Sequence, residues 1–93
     1  MKFERNGNGF VHRDENGQII AEITFKPVDD KTVIADHTYV DNVLRGQGVA
    51  GKLLDYLVAA MEAEGKKIKA QCSYVVKKFN EEPEKYDAIN ADK

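Results

Sequence analysis

The feature that most constrains this chain is a change of hydrophobic period at Gly48. Before it, apolar and polar residues alternate in twos; after it, apolar residues recur at intervals of three and four, and the two periods demand different backbones. Ile19, Ala21, Ile23 and Phe25 fall on one side of an extended segment starting at Gln18, with Glu22, Thr24 and Lys26 on the other. Phe10 to Arg13 reads as a shorter strand before it, and the Asn16-Gly17 pair between them supplies the positive φ of a tight hairpin. Pro27 and Asp29-Asp30 are expected to end the second strand. Thr32 to Val40 forms a third, with Val33, Ala35, His37 and Tyr39 expected on one face.

Past Gly48, the residues Val49, Ala50, Leu53, Leu54, Leu57, Val58 and Met61 line one side of a helix that ends near Gly65. Ile68 to Cys72 reads as a short strand, and Val75, Val76 and Phe79 as the apolar face of a second helix that Glu82-Pro83-Glu84 interrupts. Tyr86 to Ile89 adds one helical turn, and Asn90 to Lys93 is expected to fray. The order predicts an α+β fold: an antiparallel meander, a helix, one more strand and a C-terminal helix.

Ninety-three residues, 42% hydrophobic and 32% charged, suit one globular domain spanning residues 1–93. Fourteen basic against sixteen acidic residues give 14 − 16 = −2, which offers no general attraction to nucleic acid or anionic lipid. A lone cysteine makes no intramolecular disulfide and two histidines leave a zinc site short of ligands, so neither a disulfide nor a metal is expected. Without a signal-like N-terminus or an apolar run near ~18 residues, the expected location is the cytoplasm.

Between the third strand and the helix lies Leu44-Arg45-Gly46-Gln47-Gly48-Val49-Ala50-Gly51-Lys52, a glycine-rich turn that admits three readings. Gly46, Gly48 and Gly51 fit a dinucleotide-binding fingerprint, but the acidic residue due about 20 positions on is missing; Gln71 stands in that region. Gly46 and Gly51-Lys52 approach a Walker A loop, but Leu53 stands where a Ser or Thr should hold magnesium. Both also need a parallel βαβ unit, whereas a meander precedes this loop. The third reading is Arg45-x-x-Gly48-x-Ala50, an anion cradle at a helix N-terminus.

On that third pattern the chain resembles the GCN5-related N-acetyltransferases, whose Arg/Gln-x-x-Gly-x-Gly/Ala loop holds the pyrophosphate of acetyl-CoA. His37-Thr38-Tyr39-Val40 before the loop and Cys72-Ser73-Tyr74-Val75 after the next strand resemble a short, single-domain branch of that superfamily seen mostly in bacteria. Together these segments cover roughly residues 18 to 89. The resemblance implies acetyl-CoA binding by Val43, Leu44, Arg45, Gly46, Gln47, Gly48, Val49 and Ala50, with Tyr74 and Lys78 completing the cofactor set. It also implies a splayed strand after the CoA helix and acetyl transfer to an amine of unknown identity.

His37 and Cys72 are the candidate catalytic residues. An imidazole suits proton removal from an ammonium near neutral pH, and a thiol beside the thioester suits acceptance of the acetyl group. Each has an ordinary alternative: a histidine satisfied by backbone, and a cysteine that fills core. The chain departs from the family in length, because typical members reach ~150 residues with N-terminal helices on the acceptor side. Glu4 to Gly9 is too short and glycine-rich for those helices, which leaves an exposed or macromolecular acceptor, a partner-completed site, or a non-catalytic acyl-CoA-binding module.

Overall fold

In a computed structural model describing residues 1–93, the chain forms β1 (Glu4–Arg5), β2 (Gly9–Arg13), β3 (Ile19–Asp29) and β4 (Thr32–Val40), followed by a 3-10 turn (Asn42–Leu44). Then come α1 (Val49–Ala63), β5 (Lys67–Ala70), α2 (Ser73–Glu81) and α3 (Pro83–Tyr86). The strands make one five-stranded sheet whose spatial order is their sequence order. All neighbours are antiparallel except β4 and β5, which α1 joins as a parallel crossover. The α+β class expected from the change of period is the one observed.

The period of α1 places Val49, Leu53, Leu54, Leu57 and Met61 on its buried side. They pack on Phe10, Ala21, Ile23, Phe25, Val33, Ala35 and Ile68 from one face of the sheet. Fully burying one such leucine contributes about 2 kcal/mol. Helices α2 and α3 extend the same core with Val75, Phe79 and Tyr86, and the Tyr86 hydroxyl donates to Asp55 Oδ1 at 3.4 Å. No helix is long and apolar enough to cross a membrane.

Several boundaries differ from expectation, each for a physical reason. β3 runs on through Pro27, which faces Val33, and a register shift between Pro27 and Asp29 accommodates the residue that has no N–H to donate. β5 stops at Ala70, and Cys72 is the N-cap of α2 rather than the end of a strand. Pro83 opens α3, because a first-turn residue needs no donor. The C-terminus does not fray: Ile68 N–H donates to Ile89 O and Ala91 N–H to Ile68 O, both at 2.8 Å, so buried Asn90 bridges to β5. β1 has no counterpart in the sequence reading, since two residues carry no period.

The difference with most consequence is in β4. Thr24 faces His37 and Phe25 faces Ala35, so Asp36 is an extra residue, a β-bulge. The alternation inverts there. Val33 and Ala35 point to the core; beyond the bulge Thr38 and Val40 take that side, opposite Ile23 and Ala21, while His37 and Tyr39 are exposed. The expected shared face of Val33, Ala35, His37 and Tyr39 is thereby corrected.

Candidate functional site

The bulge coincides with the end of the β4–β5 ladder. Ala35 and Ala70 are the last pair, and the N–H groups of Gln71 and Cys72 then both donate to Ala35 O, at 3.1 and 2.9 Å. From there α2 carries the chain away while β4 continues to Val40, leaving a fork. Asp41 N–H donates to Ile20 O at 2.8 Å, so the alternation of an antiparallel ladder turns the backbone groups of Tyr39 and His37 toward β3. Those of Thr38 and Val40 therefore face into the fork.

At the far end of β4 the chain turns on Asp41. Its Oδ1 accepts from Val43 N–H at 3.0 Å and its Oδ2 from the Tyr39 hydroxyl at 3.1 Å. These two donors, the Val43 amide first, hold the Asp41 carboxyl below the usual carboxylate range, and the same bond pushes the Tyr39 phenol up. The loop that follows needs positive φ at Gly46 (82°) and Gly48 (68°). Gly48 caps α1 with no side-chain hydrogen bond. The first amide to reach a helical acceptor is that of Lys52, on Gly48 O at 3.2 Å, so the N–H groups of Val49, Ala50 and Gly51 remain open. No acidic side chain occupies this first turn, and the positive end of the helix is unopposed. What results is a cleft of about 270 Å³ suited to an anion.

Most of the residues expected to hold a cofactor meet in that cleft: Leu44, Arg45, Gly46, Gly48, Val49, Ala50 and, from α2, Tyr74. Tyr74 closes one wall, its hydroxyl 3.5 Å from where a Cβ on Gly51 would stand. Burial, the larger effect, pushes its phenol up against the opposing pull of Lys78. Lys78 lies one turn along α2, outside the lining, and pairs with Glu82 at 2.7 Å. Gln47 is an exposed loop residue that does not line the cleft. Val43, 70% exposed, lies outside the cleft and lines a separate hollow of about 640 Å³ beside the β2–β3 turn.

The two catalytic candidates are not together. The Cys72 thiol donates to Thr38 Oγ1 at 3.2 Å on the core side of β4. His37, the preceding residue, points to the opposite face and is exposed. Sequence reasoning missed Thr38, Val40 and Gly51. All three lie in segments singled out for their neighbours, but strict alternation turned Thr38 and Val40 outward. No group of three or more His, Cys, Asp or Glu stands close enough to hold a metal ion.

A bulged antiparallel meander, a glycine-capped crossover helix and a forked parallel pair define this as a small α+β domain with a cleft at the crossover. The GCN5-related N-acetyl-transferase family matches over residues 9–89, and the chain belongs to that family. The solution structure of a GCN5-like protein from Staphylococcus aureus is 36% identical with a TM-score of 0.75, over 96% of this chain and 86% of that one. An Escherichia coli GNAT-family N-acetyltransferase crystallised with CoA is 28% identical with a TM-score of 0.60, over 67% of this chain and 38% of that one. A family member from Elizabethkingia anophelis with acetyl-CoA bound shares the fold at 21% identity and a TM-score of 0.56; this chain spans 40% of its length. No curated protein matches the chain.

Proposed function

We propose that this chain binds acetyl-CoA in the fork between β4 and β5 and transfers the acetyl group to an amine. One observation carries the reading: the open amides of Val49, Ala50 and Gly51 share a cleft with Val40 and Tyr74, and two residues back along β4 Thr38 accepts from the Cys72 thiol. These donors and acceptors fit the molecule in order. The α1 N-terminus and the Arg45 guanidinium suit a pyrophosphate. The N–H and C=O groups of Val40 and Thr38 suit the amides of an extended arm, which would lie on the free edge as an added strand does. Bound acetyl-CoA supplies the activated thioester. Gly46 and Gly48, without side chains, would let the backbone approach the phosphates, and Tyr74 on the cleft wall would cover the arm.

The placement of His37 bears on how the acetyl group moves. Its imidazole lies across β4 from the Cys72 thiol, which favours direct transfer: His37 takes the proton of an amine arriving on the exposed face, the new C–N bond forms as the thioester C–S bond breaks, the leaving thiolate takes a proton from solvent, and Cys72 packs against Thr38. Incubation with acetyl-CoA alone should then leave no acetyl adduct on Cys72, and Cys72→Ala should keep CoA affinity within about threefold. An adduct that hydroxylamine removes would restore the covalent route. The cytoplasm, which holds acetyl-CoA, is the compartment this reading requires.

A second reading, a non-catalytic acyl-CoA-binding module, is favoured by the open sheet face opposite α1, on which no helix of this chain builds an acceptor pocket. Turnover of acetyl-CoA with a panel of amines separates the two. Binding itself is tested by calorimetry with CoA and with Gly48→Glu, which places a carboxylate among the open amides. Binding should vanish while the melting curve shows a folded chain; unchanged affinity would remove the assignment.

A further inference from the structure

We infer that Asp36 is a positioning residue which, latched to Thr24, holds the bulge that keeps the fork open; this rests on the reading of the fork as the acyl-CoA site. The bulge does two things at once. It inverts the faces of β4, and it sits where the β4–β5 ladder ends, with Ala35 O receiving both the Gln71 and the Cys72 amide. Without the extra residue, the alternation of Val33 and Ala35 would continue into His37 and Tyr39, and every group beyond would change sides. Thr38 would lose Cys72, and the backbone now facing the fork would turn away from it.

A bulge sacrifices regular pairing, so something local must favour it. Asp36 is the extra residue, and its side chain reaches back across the ladder to β3. There Oδ1 accepts from the Thr24 hydroxyl at 2.6 Å, and Oδ2 stands 3.6 Å from Lys26 Nζ. Thr24 and Lys26 share one face of β3, two residues apart, and so bracket the irregular step. The carboxyl is 17% exposed whereas Lys26 is 76% exposed, which assigns the holding role to the shielded Thr24 bond and a minor one to the screened ion pair. Asp36 sits on the face away from α1 and touches nothing in the cleft; it acts through the backbone.

The experiment uses the full chain, with CoA affinity by calorimetry below the melting temperature and cross-strand NOEs of the free protein as the record of register. Asp36→Ala and Thr24→Val should each weaken CoA binding about tenfold, and the double variant should be no worse than either alone. Asp36→Asn, whose Oδ1 still accepts from Thr24, should stay within about threefold of wild type, as should Glu22→Ala on the same face. The NOEs linking Thr24 with His37 and Phe25 with Ala35 should persist in Asp36→Asn and change in Asp36→Ala. Should Asp36→Ala fail to fold, the contrast between Thr24→Val and Asp36→Asn decides the matter alone. Wild-type register with wild-type affinity in Thr24→Val overturns the latch. A wild-type chain that shows the NOEs but binds no CoA overturns the functional reading instead, and the NOE contrast still judges the latch.

Discussion

At Gly48 the demand for glycine is conformational and not steric: φ is 68°, yet nothing lies within 4 Å of where a Cβ would stand. Gly48→Ala should therefore fold, with a loss of about 1–2 kcal/mol in denaturant melts, the ordinary cost of a side chain in the left-handed region. Asp36 makes a different demand. Burial is the largest influence on its carboxyl and pushes it up, but the Thr24 hydroxyl, a backbone amide and Lys26 together outweigh it, and the group titrates below its ordinary 3.8. A carboxyl depressed in the folded state stabilises the fold fully above the unfolded value near 3.8 and loses that contribution as pH falls through the lower folded value. Asp36→Asn should remove that pH dependence, matching wild type at the acid end and falling slightly below it at neutral pH, read from thermal melts between about pH 2 and 7.

Helix α1 was legible because its apolar face recurs over four turns, and the loop because three glycines and an arginine at fixed spacing leave few backbones available. The bulge was not legible. Alternation states which residues share a face only while no residue is added, and an aspartate at the extra position reads as any outward polar side chain. His37 and Thr38 exchanged faces for that reason, which sets His37 across β4 from Cys72. The fork was visible only through the family resemblance, since the end of a ladder depends on the neighbouring strand. The C-terminal elements were half legible: Val75 and Phe79 have the right spacing, but nothing local announces that Asn90 will bridge to Ile68. A chain cut after Tyr74 loses Val75, Phe79, Tyr86 and Ile89 from the core and uncovers that flank of α1. It should show no cooperative thermal transition by circular dichroism; a cooperative melt in that fragment would refute the dependence.

For the molecule as a whole, a thin domain with an open fork should respond strongly to its ligand. CoA at a hundred times its dissociation constant should add about 2.7 kcal/mol of stability, seen as a raised melting temperature. The amides of Thr38 and Val40 should become the most newly protected in hydrogen exchange, because they face the fork; protection confined to the hollow beside Val43 would relocate the site. The sheet order carries a consequence for how the domain assembles. Strands β1 to β4 meet through short turns, whereas Thr32 pairs with Lys67 across the long segment that holds α1. Closing that long segment is entropically slower than closing a hairpin, so the meander and α1 are expected in the folding nucleus with β5 docking late. Ile23→Val should then slow folding, while Ile68→Val should mainly speed unfolding, as a stopped-flow chevron would record. The parallel pair whose parting makes the cleft thus zips up last and comes undone first.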